Sequence, residues 1–288
     1  DHGRGDEALE FFEQMQLEGV SPNSATYVCI LKACASIRDI DKARKIHEDI
    51  KKNSLERDAT ICTSLVDMYA KCGLVTRAQQ LFNELLVQDV VSWNALIAGY
   101  VEHGFNVEAL KTFNEMRMEE VNPNLVTYIC CLKACSNLQS LDEGWIIHAE
   151  VVKEGMEVDL FIGNTLVDLY AKCGSFIEAQ DVFDQLLVRN IVSWNSLIAG
   201  YAQHGFGDEA LQCFRQMQDE GIYPNVVTYI CVLKACGLTR CLEVGENIDA
   251  EVRKSGLLQN NVVLGTTLVD MYFRCGALEK ARQVFEQL

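Results

Sequence analysis

Proline is almost missing from this chain. The 288 residues carry three, Pro22, Pro123 and Pro224. No run of about 18 apolar residues exists, so no membrane-spanning helix is expected. There is no glycine-rich phosphate loop, no zincin helix and no nucleophile elbow, the sequence marks of three large enzyme classes. Linkers, low-complexity tracts and charge blocks are absent. Positive charge is scarce too: 25 Lys and Arg stand against 41 Asp and Glu, a net −16. That balance is awkward for a nucleic-acid binder, which must neutralise phosphates. The 13 cysteines are an odd number, and their spacings, such as Cys29-x4-Cys34, Cys131-x3-Cys135 and Cys236-x4-Cys241, lack the tight knuckle of structural zinc sites. Most recur at apolar helical positions. They read as small buried thiols in a reducing compartment, not as a disulfide framework. No metal and no cofactor is expected.

What is present is repetition. Val90 opens VVSWNALIAGYVEHG, and Ile191 opens IVSWNSLIAGYAQHG, 101 residues later. Tyr27, Tyr128 and Tyr229 keep that step, as do the three prolines. Gly73, Gly174 and Gly276 keep it with one extra residue before the last. Such fixed self-similarity marks a repeat array. The block divides into three unequal cousins of 35, 35 and 31 residues: 90–124, 125–159 and 160–190. Each reads as two short amphipathic helices. In 59–89, Ile61, Leu65, Val66, Met68 and Tyr69 follow helical spacing and Gly73 stops the run. Ala78, Leu81, Phe82 and Leu85 then mark a second helix. Seventeen helices are expected: one from a broken first repeat and two from each of eight others.

Charge is not evenly spread between the two helix sets. The eight first-helix segments sum to +2 and the rest of the chain to −18. One face can therefore be mildly basic while the whole is acidic.

The three cousins resemble the pentatricopeptide repeat (PPR) family, in its subclass of P, L and S triplets. VVSWNALIAGYVEHG…EALKTFNEMRMEEVNPN is similar to the P repeat, LVTYICCLKACSN…GWIIHAEVVKEGMEVD to the L repeat, and LFIGNTLVDLYAKCG…AQDVFDQLLVRN to the S repeat. The resemblance covers the whole chain as nine repeats in one array: partial P at 1–23, L at 24–58, S at 59–89, P at 90–124, L at 125–159, S at 160–190, P at 191–225, L at 226–261 and partial S at 262–288. It implies an all-α solenoid of helix-turn-helix repeats winding as a right-handed superhelix. It also implies single-stranded RNA binding at about one base per repeat, in a mitochondrion or chloroplast. A C-to-U editing role fits the triplet subclass. The deaminase signature H-x-E…P-C-x-x-C is absent, so no catalytic residue is assigned. A deaminase is expected beyond the chain or on a partner, with other editing proteins. The transit peptide is expected to lie outside the chain.

In the family, position 5 and the last residue of a repeat read a base together. Here those pairs are Thr63/Asp89, Asn94/Asn124, Asn164/Asn190 and Asn195/Asn225, with Thr266 left single. The implied target is 5′-G-Y-N-Y-Y-N-R-3′. The L-like repeats place Val28, Ile129 and Ile230 at position 5, where no base edge can be hydrogen-bonded. Positions 5, 9 and 13 form one helical stripe. On it Lys71, Lys172 and Arg274, with Lys32, Lys133 and Lys234, are candidate phosphate contacts. Asp67, Asp168 and Asp270 lie one turn before three of them, set to orient or neutralise them. The ordinary reading of the polar stripe is helix capping or solvated surface. His2, His103 and His204, and His47 and His148, recur singly and read as turn or packing residues, as does the unrepeated Trp145. Competing functions are a protein-binding helical scaffold and an RNA stability or splicing factor. Incomplete repeats at both ends make self-association an open expectation.

Overall fold

In the computed structural model, residues 4–259 and 261–288 are described. The recurrence at His2 lies outside them. The described residues form seventeen helices and no strand. Two compact units divide the chain, 1–138 and 139–288. The first holds α1 (Gly5–Leu17), α2 (Ser24–Ile37), α3 (Ile40–Lys52), α4 (Ala59–Lys71), α5 (Val75–Asn83), α6 (Val90–Glu102), α7 (Asn106–Met118) and α8 (Leu125–Leu138). The second holds α9 (Leu141–Lys153), α10 (Leu160–Lys172), α11 (Phe176–Gln185), α12 (Ile191–Gln203), α13 (Gly207–Asp219), α14 (Val226–Thr239), α15 (Leu242–Lys254), α16 (Val262–Arg274) and α17 (Leu278–Phe285).

Within each unit the logic is the same. The first helix of a repeat packs on its own second helix and on the first helix of the next repeat. In the first unit α2, α4, α6 and α8 stack in sequence; in the second, α10, α12, α14 and α16 do. The hairpin turn is made by glycine where the backbone turns left-handed, as at Gly73 with φ +81°. Buried aromatics weld neighbouring repeats: Trp93 meets Phe82 edge-on at 4.6 Å, and Trp194 meets Phe183 at 4.7 Å. Such pairs add about 0.5–1.5 kcal/mol beyond their burial.

First helices approach closely where side chains are smallest. A Cβ added at Gly99 would lie 2.4 Å from the Ala70 Cβ and 3.1 Å from its Cα. Gly200 repeats the arrangement against Ala171, at 2.5 Å. Glycine inside a helix is unfavourable, so its place here reflects contact distance, not propensity.

The recurring histidines behave as packing residues. His47 Nδ1 shares a 2.8 Å hydrogen bond with the Tyr69 hydroxyl, and His148 Nδ1 a 2.7 Å bond with Tyr170. In the third copy Asp249 replaces the histidine and accepts from Tyr272 at 2.8 Å. Trp145 packs edge-on against Tyr170 at 5.4 Å. His103 hydrogen-bonds the Lys71 carbonyl at 3.3 Å, beside Gly73. All 13 cysteines are free thiols. Cys34, Cys72, Cys135 and Cys236 are buried as expected, and burial pushes the Cys34 thiol up to about 12. Cys29 departs from the expectation. It follows the stripe position Val28 directly and faces solvent.

Two outcomes follow for stability. Gly99→Ala should cost about 1–2 kcal/mol in urea unfolding, because overpacking against the Ala70 backbone outweighs alanine's helix propensity. Burial, aided by Lys51 and Arg77, pulls the His47 imidazole down to about 4. Folding holds it neutral while the unfolded chain binds a proton near 6.5, so stability should fall as pH drops from 6.5 towards 4. His47→Gln should flatten part of that slope, read from unfolding midpoints across the window.

Candidate nucleic-acid interface

The site begins at the repeat boundaries. The last residue of each repeat is not in a helix; it caps the first helix of the next. Asp58 Oδ1 accepts from the Thr60 and Ile61 amides, and Asp89 Oδ1 from the Ser92 amide at 2.9 Å. Asn124 Oδ1 accepts from the Thr127 amide at 3.2 Å, Asn190 from Ser193 at 3.1 Å, and Asn225 from Thr228 at 3.0 Å. Asn23, Asp159 and Asn261 do the same for α2, α10 and α16. Free helix-end amides are costly when unsatisfied, and Asp and Asn are among the best residues for this task. The sequence reading gave capping as an ordinary role for the stripe. The structure gives it to the boundary residue.

The asparagine pairs do come together. Asn94 Nδ2 donates to Asn124 Oδ1 at 3.0 Å, Asn164 to Asn190 at 3.4 Å, and Asn195 to Asn225 at 3.3 Å. Asn94 and Asn164 are only 9% and 7% exposed, so each forms the floor of a notch and not a surface hair. Thr63 is half-buried and makes no side-chain hydrogen bond to Asp89 among the described residues. Thr266 is exposed and donates to the Val263 carbonyl at 3.0 Å. Val28, Ile129 and Ile230 are half-buried.

The basic positions split into two groups. Lys71, Lys172 and Arg274 are each paired at 2.8 Å with the carboxylate one turn earlier, Asp67, Asp168 and Asp270. Glu102 pairs with Arg38. Lys32, Lys133 and Lys234 are exposed, with no ion-pair partner among the described residues. Half of the basic stripe is thus already partly neutralised.

Two residue sets escaped sequence reasoning. At the second position of the repeats, Val91, Val126, Phe161, Val192, Val227 and Val263 stand exposed, from 50% at Val126 to 68% at Phe161. The β-branched pair that opens four of the first helices, at Val90-Val91, Ile191-Val192, Val226-Val227 and Val262-Val263, was the available signal. At the third position, Thr127, Ser193 and Thr228 send hydroxyls back to the asparagines behind them. Among the described residues no group of three or more His, Cys, Asp or Glu is placed to hold a metal, and no helix is long and apolar enough to cross a membrane.

Comparison with known proteins agrees with this architecture. A model of the PPR repeat family matches residues 1–36, 88–137 and 189–237. A PPR repeat model matches 25–55, 60–90, 164–191 and 266–288. The chain is 35% identical to the chloroplastic pentatricopeptide repeat-containing protein At4g18520 of Arabidopsis thaliana, over 99% of this chain and 46% of that protein. It is 34% identical to the chloroplastic CRR2 of the same plant, over 99% and 44%. With the mitochondrial At2g03380 the identity is 36%, over 98% and 41%. The chain therefore spans less than half the length of these relatives. A crystal structure of PPR10 in complex with an 18-nt psaJ RNA element superposes with TM-score 0.80 at 22% identity, covering 99% of this chain and 42% of that one. With repeat models matching most of its length and the same helical-repeat fold, the chain belongs to the pentatricopeptide repeat family.

Proposed function

We propose that the chain binds single-stranded RNA in a sequence-specific way, one base per repeat across a single tract, as the recognition part of an organellar C-to-U editing factor. The observation that carries the reading is the notch at the repeat boundary. At three boundaries a position-5 asparagine and the cap that ends its own repeat converge on one another, Asn94 on Asn124, Asn164 on Asn190 and Asn195 on Asn225, beside an exposed apolar second residue. Val91, Val192 and their counterparts suit the face of a base. The notch suits its edge. Single-stranded RNA is the nucleic acid whose bases present both. The lysines flanking the notches suit phosphates, and the triplet rhythm favours editing. Relatives named chloroplastic and mitochondrial support a place in one of those organelles. A deaminase acting in trans, or on a longer form of the chain, would supply the chemistry.

The caps also set what each pair offers a base. A backbone amide can only donate, so the atom it binds must be an acceptor. In Asp89 the Ser92 amide takes Oδ1, which leaves Oδ2 as an outward acceptor for the N1–H of guanine. In Asn124, Asn190 and Asn225 the amide takes the carbonyl, which leaves the nitrogen outward as a donor. Donors fit the O2 and N3 of cytosine, or the carbonyls of uracil. The proposed register is 5′-G-Y-N-Y-Y-N-R-3′, with N under the L-like repeats and the last base under Thr266.

Asp89→Asn keeps the cap but exchanges the outward acceptor for a donor. It should move the first preference from guanine to adenine, by a few-fold to about tenfold for one neutral hydrogen bond. Competition among RNAs differing at that base reads the change; an unaltered ranking would rule this pair out as a base reader. Lys71→Glu with Lys172→Glu should weaken all RNAs alike and reduce the salt slope by about 0.7 per lost phosphate contact. Equal affinity of this double variant and the parent would show that the two lysines are solvated surface.

A further inference from the structure

We infer that the hydroxyl at the third position of the following repeat, on Thr127, Ser193 or Thr228, fixes which way the asparagine behind it faces and thereby its base preference. This rests on the RNA-reading function proposed above. These hydroxyls are positioning residues: they act on a base only through Asn94, Asn164 and Asn195.

The hydrogen-bond accounting around Thr127 is complete. Its Oγ accepts from the Asn124 backbone amide at 3.0 Å, so its own hydrogen is available to donate. That hydrogen has two acceptors in reach, Asn94 Oδ1 at 2.6 Å and Asn124 Oδ1 at 3.2 Å, and the shorter is Asn94. Asn124 Oδ1 is already held as an acceptor by the Thr127 amide. Asn94 must therefore turn its nitrogen, not its oxygen, toward Asn124. The reverse orientation would set two carbonyl oxygens 3.0 Å apart with no hydrogen between them. One backbone amide thus propagates its direction through a cap, a hydroxyl and a second amide. What remains outward is one hydrogen of Asn94 and two of Asn124, all donors.

The arrangement recurs. Ser193 Oγ donates to Asn164 Oδ1 at 2.6 Å and accepts from the Asn190 amide at 3.1 Å. Thr228 Oγ donates to Asn195 Oδ1 at 2.7 Å and accepts from the Asn225 amide at 3.1 Å. The structure also holds a contrast. Ser92 occupies the same position after Thr63/Asp89, yet its hydroxyl donates to the Asp89 carbonyl at 2.8 Å and leaves Thr63 alone. Thr26, whose Asn23 cap has no described position-5 residue behind it, turns its hydroxyl onto Asn23 Oδ1 at 3.0 Å. The hydroxyl reaches backward only where an asparagine waits for it. Without it, the Asn94 carbonyl loses its donor in a nearly buried notch and the amide is held by its contact to Asn124 alone, so it can swing off that contact and offer an acceptor where it had offered a donor.

The test is RNA competition with the second and fourth bases varied independently, on the parent, Thr127→Val, Thr127→Ser and Ser92→Ala. Thr127→Val should lower pyrimidine-over-purine discrimination at the second base by about threefold to tenfold, the worth of one hydrogen bond. Discrimination at the fourth base, under Asn164/Asn190, should stay as in the parent. Thr127→Ser should restore the second-base preference, and Ser92→Ala should leave the guanine preference at the first base intact. A general loss of folding would lower affinity at every base together. If Thr127→Val does not fold, Ser193→Ala puts the same question at the fourth base. Parent-like discrimination in Thr127→Val, or an equal loss at both bases, overturns the inference while leaving RNA reading in place. A parent that ranks no bases at all overturns the RNA reading and this inference with it.

Discussion

Everything in the notches depends on one hydrogen bond, from a backbone amide at the start of a first helix to the Asp or Asn that ends the repeat before it. The helix needs that bond because its first amides have no partner inside the helix. The bond fixes the backbone at the boundary, with Asn190 at φ −116° and ψ 179° and Asn225 close to it. It also fixes the side chain, since the accepting oxygen must face the helix. The opposite end of the carboxylate or amide is then presented outward without further machinery. Capping is worth about 1 kcal/mol to a helix, and the same contact orients the group that would face a base.

Much of this was legible in the sequence, for a physical reason. A repeat writes each element several times, so chance patterns cancel and the recurring ones stand out. The helices, the glycine turns and the packing of His47 and His148 against tyrosines of the next repeat all follow from spacing. The position-5 and boundary residues were singled out by resemblance, and Asn94, Asn164 and Asn195 do lie beside their partners. What spacing could not carry was direction. Nothing in the text of Thr127 or Ser193 says that a hydroxyl points backward across a boundary, and the contrasting Ser92 is the same residue type as Ser193. Nor does spacing say that Val91 or Phe161 stands in solvent, since β-branched and aromatic residues in a helix are ordinarily taken as core. Cys29 shows the same limit from the other side.

The charge balance has a local resolution. Lys71, Lys172 and Arg274 face carboxylates one turn away, at 2.8 Å in each case. Exposed pairs of this kind are weak, on the order of 0.3–0.5 kcal/mol, so a phosphate can compete with the aspartate for the cation. The stripe is then less a fixed positive rail than a row of cations with replaceable partners. Among the described residues Lys32, Lys133 and Lys234 have no such partner and stand exposed.

Under the proposed function the boundary residue would be cap and reader at once, and that doubling would restrict the alphabet available there. Asp and Asn have the same shape and both cap well, so exchanging them rewrites the outward atom while the helix beneath is undisturbed. A leucine or lysine at Asn124 would leave the α8 amides without their side-chain acceptor, at a cost of about 1 kcal/mol, so folding disfavours those letters. If the boundary residues read bases as proposed, divergence of such a chain toward a new sequence would move in single steps between two isosteric residues, each step altering the address and none altering the scaffold.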